Sequence, residues 1–571
     1  MKEIFSKKYQ DIFPENSKTL WLFAPLSIRS KLKVALEKMI NEGEETGHFI
    51  EVKSAYKTLL CEIREKNLLK NCQDVLIRYP VVEGDEPLRF RLETYPLESL
   101  YPHCKILYEP FPQEADQGVY YEVVLDGIKT EKVFVPVKWK DKLNGKRELN
   151  ACGWIEYIDG TSTSFYTAYE AMYDEACQYL MQLPLSLKEC NPHQIVYDMS
   201  LEGEDEPLGI GHESLSLAEA MHEDVYFSAL EIFQHRLGLI SGDRTLRPGQ
   251  VLPNVYYGKE NELTILSGQW AATREIGMDE CNTDLASVEC SLSEEKIFSY
   301  LDRLGGGRFE ATSLQGRPLK GTVIKGVSNV EIALSAGQHA NESSGIVGAL
   351  RAAKTLVDNG EVSFTLRPLG NPDGYAAFRK LSEQSPNYMH HAARYTAAGC
   401  DLAYGDVPEN AFTKKALTEL PNALVHLNLH GYPAHEWTRP LSGYVPRNFS
   451  RWTIPKGFFL ILRYKPGFKD LAEKVLDVSI KALMDYTEQA QQNQQMIKQY
   501  LATVGSADFP IAYQTIPYSI DEYTNQDYPV ELITEAPDET VQGEWFRIAH
   551  ESHYRVVMAV VEALKDIQVR V

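Results

Sequence analysis

The sequence has no surplus of basic residues. Its 571 residues hold 58 Lys and Arg against 80 Asp and Glu, a formal charge of −22. A protein that grips a nucleic-acid backbone normally shows the opposite balance, and an anionic membrane surface is an equally poor partner. No stretch approaches the roughly 18 apolar residues of a membrane helix, and runs such as Phe458–Leu462 are short. The first residues scatter their charges, and no apolar stretch leads into a small-residue cleavage site, so no signal peptide is expected. The nine cysteines are odd in number and include no Cys-x-x-Cys pair. That argues against a disulfide framework and against a thiolate zinc site, and it points to a reducing, cytoplasmic location. Repeats and low-complexity tracts are also lacking. The Gln-rich run Gln489–Gln499 falls inside a helical pattern and reads as a solvated helix face.

What is present is ordinary globular composition, 44% hydrophobic and 24% charged, enough apolar side chain to offset the entropy of ordering. The length predicts more than one domain, and the texture changes near residue 285. In 1–285, residues 27–40 and 54–69 read as helices. Short alternating runs between 73 and 160 predict a β-rich, antiparallel unit. Residues 163–183 and 215–237 read as amphipathic helices at i, i+3, i+4 spacing. No motif in this α+β region carries recognisable chemistry. In 286–571, strand-like runs alternate with long helical patterns: VEIALSAG (330–337) before a helix over 344–357, VSFTLRPLG (362–370), ALVHLNLHG (423–431) before a helix over 469–500, and VELITEA (530–536) before a helix over 544–566. This alternation predicts an α/β domain with a mixed, mainly parallel sheet flanked by helices. In such sheets the working residues gather beyond the carboxyl ends of the strands.

Four candidate residues meet that condition. His339 and Glu342 lie just past VEIALSAG, three apart, where both side chains can turn to one metal ion. His48–Glu51 has the same spacing but no companion motif. His430 ends the apolar run ALVHLNLH. A His, Glu, His set leaves the fourth position of a zinc ion open, which is the arrangement of a catalytic ion. Glu535, at the end of VELITE, brings to the same rim a carboxylate able to act as general base.

These segments resemble the M14 zinc carboxypeptidases over roughly residues 290–571. SAGQHANESSG, NPDGY (371–375), LNLHG and LITEAP appear in the family's order. The resemblance implies a zinc carboxypeptidase-like fold, one zinc ion on His339, Glu342 and His430, and Glu535 as general base. By position it also implies Arg394 as the arginine that stabilises the oxyanion, and Asp401 as the acceptor behind His339. Tyr513, 22 positions before Glu535, corresponds to the mobile active-site tyrosine, and Ile520 to the specificity-pocket residue. The implied activity is zinc- and Glu-assisted hydrolysis of a peptide bond, of carboxypeptidase type, with a peptide or acylated small molecule as substrate.

One departure stands out. After Asp401-Leu402 the family has Asn-Arg, which clamps the substrate's terminal carboxylate; here the pair is Ala403-Tyr404. Asn341 likewise stands where many members carry an arginine. Three explanations are open. Arg439, Arg447 or Arg451 on the following loop substitutes; the substrate lacks a free carboxylate, as for an amidase or deacylase; or the protein binds ligands with little turnover.

Overall fold

The computed structural model describes the chain apart from residues 15, 42–49, 142–146, 184–193, 241, 244, 269–283, 404, 444–452 and 569–571. The N-terminal region is β-rich, as expected. Among the described residues it holds three four-stranded sheets. One pairs Lys105–Gln113, Asp74–Val82, Val119–Leu125 and Lys129–Val135; its first two strands run parallel, so the predicted unit is mixed rather than antiparallel.

Helix α1 (Leu217–Arg236) is not amphipathic. Leu217 to Tyr226 is an unbroken buried run that includes Glu219, His222, Glu223 and Asp224. A helix buried on every side lies between two bodies of structure rather than over one. Its own side chains belong to both major cores: Val225 and Ile232 to the N-terminal one, Tyr226 to the C-terminal one.

The C-terminal region is built, among the described residues, on nine strands: β1 (Gly307–Thr312), β2 (Pro318–Ile324), β3 (Glu331–Ala336), β4 (Ser363–Arg367), β5 (Val425–Tyr432), β6 (Phe459–Tyr464), β7 (Ile511–Ala512), β8 (Ile516–Glu522) and β9 (Val530–Pro537). Their order is β1-β2-β4-β3-β5-β9-β6-β8-β7. The central strands β4, β3, β5 and β9 are parallel, and β6 with β8 is parallel as well, whereas the remaining pairings are antiparallel. The expected mixed α/β sheet is therefore present, its parallel character concentrated at the centre. Strands β4 and β5 are buried along their whole length, as sequence runs such as ALVHLNLH require. Helices α2 (Ser344–Asn359) and α4 (Glu544–Gln568) pack together on this sheet. Gly348 permits their close approach, since a Cβ there would stand 2.6 Å from the Cβ of His553.

The helix predicted over 469–500 is two helices, α3 (Lys469–Met484) and a second over Thr487–Val504. Tyr486 takes an extended backbone between them and buries its ring. The Gln-rich run is a solvated face only in part: Gln491, Gln494 and Gln495 are exposed, but the other side of the helix is buried. Gln489 and Asn493 are fully buried. Asn493 bonds both the N–H and the C=O of Phe458 and the C=O of Thr515, while Ser552 donates to Gln489. One face of this helix thus supplies the polar partners that the segment entering β6 needs inside the core.

Candidate active site

Strand ends bring the site together. The turn after β3 carries His339 and Glu342, β5 carries His430 near its end, and β9 carries Glu535. His430 and Glu535 are register partners across β5 and β9, and Glu535 also faces Phe459 on β6. These three residues therefore form one row on one face of the sheet.

Glu342 Oε1 lies 2.8 Å from His339 Nδ1, and its Oε2 lies 2.8 Å from His430 Nδ1. The two imidazole nitrogens are 3.2 Å apart. Among the described residues this is the one set of three His, Cys, Asp or Glu side chains whose ligand atoms all fall within 4.8 Å of one another. Donors about 2.0–2.1 Å from a tetrahedral zinc stand about 3.3 Å from each other, so the donor set and its spacing fit that ion. The Gly431 N–H donates to Glu342 Oε2 at 3.1 Å. Gly431 also has to be glycine: a Cβ would meet Asp538 Oδ1 at 1.6 Å. Asp538 in turn accepts the Ser344 N–H at the start of α2.

Asp401 Oδ2 lies 3.5 Å from His339 Nε2, the ring nitrogen opposite the one that meets Glu342. Burial opposes its charge, but His339 and the Ala403 N–H hold its carboxyl well below the usual range. Arg394 Nη1 lies 2.7 Å from Glu342 Oε1 and 2.6 Å from Glu539 Oε1. Burial and the Glu342 carboxylate push the Glu535 carboxyl well above its ordinary value. Tyr513 stands apart, 66% exposed on a left-handed backbone in the turn between β7 and β8. Ile520, on β8, pairs with Leu462 and packs on the C-terminal core.

Residues 310–405 match the zinc carboxypeptidase family. The resemblance read from the sequence is borne out over this stretch. The zinc carboxypeptidase match contains His339, Glu342, Arg394 and Asp401; His430, Tyr513, Ile520 and Glu535 lie beyond it. Solved structures similar to the chain include a metallo-carboxypeptidase from Burkholderia cenocepacia (16% identity, 48% of this chain and 70% of that chain, TM-score 0.31). Another is a metallo-carboxypeptidase from Pseudomonas aeruginosa in complex with (2-guanidinoethylmercapto)succinic acid (15%, 54% and 73%, 0.32). A third is the carboxypeptidase A from Helicoverpa armigera (10%, 65% and 97%, 0.32). No curated protein matches the sequence.

Of the cations weighed as substitutes for the clamp, Arg439 is committed elsewhere: it is buried, 3.5 Å from Glu231 and stacked on Phe227. Arg447, Arg451 and Tyr404 lie outside the described residues, as does His48. Asn341 is not a cleft residue that has lost a charge. It is fully buried, and its amide donates to the Met389 carbonyl at 2.8 Å.

Sequence reasoning missed a set of buried acids and imidazoles around this site. Glu539 binds Arg394, Glu223 lies 2.7 Å from His391 Nδ1, and Glu219 lies 2.8 Å from His435 Nε2. The available signal was position: Glu539 follows Glu535 by four residues, and His435 follows His430 by five. For Glu223 the sign was acids on an otherwise apolar helix.

Burial pushes the Glu223 carboxyl up from 4.5 to about 8 and His391 down to about 4, so both are neutral at pH 7. Between pH 4.5 and 8 the folded chain keeps a proton that the unfolded chain has released, so this residue's contribution to stability falls as pH rises. Glu223→Gln mimics the protonated carboxyl. Its melting temperature is expected to gain on wild type between pH 5 and pH 8; an equal difference at both pH values would contradict the assignment.

Proposed function

We propose that the protein is a zinc-dependent hydrolase of peptide bonds, of carboxypeptidase type. The observation that carries this reading is the convergence of His339, Glu342 and His430 with Glu535 in register beside His430. A zinc ion held by the three ligands would supply a Lewis acid and lower the pKa of a water molecule. Glu535 takes a proton from the attacking water and passes it to the leaving amine nitrogen. Arg394 presents its guanidinium to the oxygen on which negative charge develops. Asp401 orients the His339 ring from behind. Tyr513, exposed in its turn, has room to close over substrate, and Ile520 lines the pocket for the leaving residue.

A second reading is an amidase or deacylase acting on a substrate without a terminal carboxylate. It is favoured by Ala403, which is exposed, uncharged and turned with its N–H onto Asp401, and by the commitment of Arg439 to Glu231. The test is hydrolysis by the zinc-loaded protein of acylated dipeptides and of their C-terminal amides. Turnover of the free acids alone supports a carboxypeptidase, and turnover of the amides supports the second reading. No turnover of either, with one zinc bound per chain, would leave a binding protein of the same fold.

A further inference from the structure

The acids of α1 are not needed to fold a helix, and burying them is costly unless each is paired. Each is paired, and the partners are two segments flanking the candidate site. Glu219 accepts the Met389 N–H at 3.2 Å, and its two oxygens lie 2.8 and 2.9 Å from His435 Nε2. The Met389 carbonyl accepts the Asn341 amide, and Asn341 adjoins the ligand Glu342. His435 follows the ligand His430 by five residues, and its Nδ1 lies 3.1 Å from the hydroxyl of Thr540, next to Glu539. One turn further on, Glu223 holds His391, three residues before Arg394, and Asp224 accepts the N–H of Leu441 and the hydroxyl of Ser442.

We propose that Glu219, with the acidic face of α1 behind it, is a positioning element of the active site. It ties the segment leading to Arg394 to the segment following His430, and so sets the metal ligands in place from the N-terminal region. That region is then part of the site rather than a module beside it. Three further observations support this. Glu219 touches both segments directly, at the Met389 N–H and at His435 Nε2. It is fixed at the first turn of α1, where its own N–H bonds the Ser216 hydroxyl. And although burial opposes charge on His435, Glu219 raises it to about 9, so its Nε2–H is present at neutral pH to donate to Glu219.

The inference rests on the hydrolase reading only for its kinetic arm, and cobalt binding tests it without turnover. The full chain and its Glu219→Ala and Glu219→Gln variants are loaded with Co(II), and affinity is measured by chelator competition alongside the visible absorption envelope. Glu219→Ala is expected to bind Co(II) about 10-fold more weakly or worse and to show an altered envelope. Glu219→Gln, which keeps a side chain able to bond Met389 and His435, is expected to stay within about 3-fold of wild type. If wild type turns over substrate, kcat of Glu219→Ala falls about 10-fold with KM little changed. An unchanged affinity and envelope in Glu219→Ala overturns the proposal, and so does an equal loss in both variants, which would assign the effect to charge rather than position. Should Glu219→Ala not fold, His435→Ala cuts the same tie from the other side and is read the same way.

Discussion

Glu535→Gln is expected to lower kcat about 10³-fold while the protein takes up zinc at the wild-type ratio. Glu535 is not among the side chains whose ligand atoms converge. It stands one strand away from His430, in register, with Phe459 on its other side. Glutamine keeps its volume and can still hydrogen-bond, but it cannot take a proton from water at neutral pH. Burial and the neighbouring Glu342 raise the Glu535 carboxyl, which suits a group that must hold a proton long enough to deliver it to an amine. The check is steady-state kinetics together with metal analysis on the same samples. A variant retaining more than about a tenth of wild-type kcat removes Glu535 from the proton transfer. A variant that loses zinc moves Glu535 into the ligand set instead.

What could be read from the sequence follows from where each signal resides. His339, Glu342, His430 and Glu535 were legible because each directly follows or ends an apolar run, and a run of that kind fixes both the strand and the rim on which its last residue falls. The same reasoning gave the sheet's parallel centre. It did not reach Glu219, Glu223 or Asp224, whose partners Met389, His391, His435 and Leu441 lie far along the chain. An acid on a helix reads as solvent-facing unless something distant covers it. The buried side of the Gln-rich run escapes for the same reason: Gln489 and Asn493 are polar residues whose partners are backbone groups of Phe458 and Thr515 and the Ser552 hydroxyl. The break at Tyr486 lacks a proline or glycine to announce it. The chain turns there because a large ring is buried, which is a tertiary cause. Tyr513 is read from the family resemblance, by its spacing from Glu535 and the Gln514 that follows it, and neither says which way an exposed turn residue faces.

Arg394→Met is expected to have two effects that a second substitution separates. Activity should fall about 10²- to 10³-fold in kcat/KM, the usual consequence of removing a donor aimed at a developing oxyanion. Stability should fall by about 3–5 kcal/mol, because a buried carboxylate that loses its cation is left uncompensated. Arg394 Nη1 serves both Glu342 and Glu539, and Glu539 is buried beside it. Burial raises the Glu539 carboxyl to about 7 even with Arg394 opposing that shift. Without the guanidinium the acid must bind a proton to remain inside. A folded-state value above the unfolded one means stability that is lost as pH rises, so the penalty should be larger at pH 8 than at pH 6. Arg394→Met with Glu539→Gln removes the stranded acid together with its cation. Its urea midpoint should recover toward wild type, and its dependence on pH should flatten, while kcat/KM stays as low as in the single variant. Recovery of activity in the double variant would show that Arg394 matters to the reaction only as the counter-ion of Glu539. Recovery of stability alone leaves the guanidinium acting on the substrate, through donors that neither carboxylate occupies.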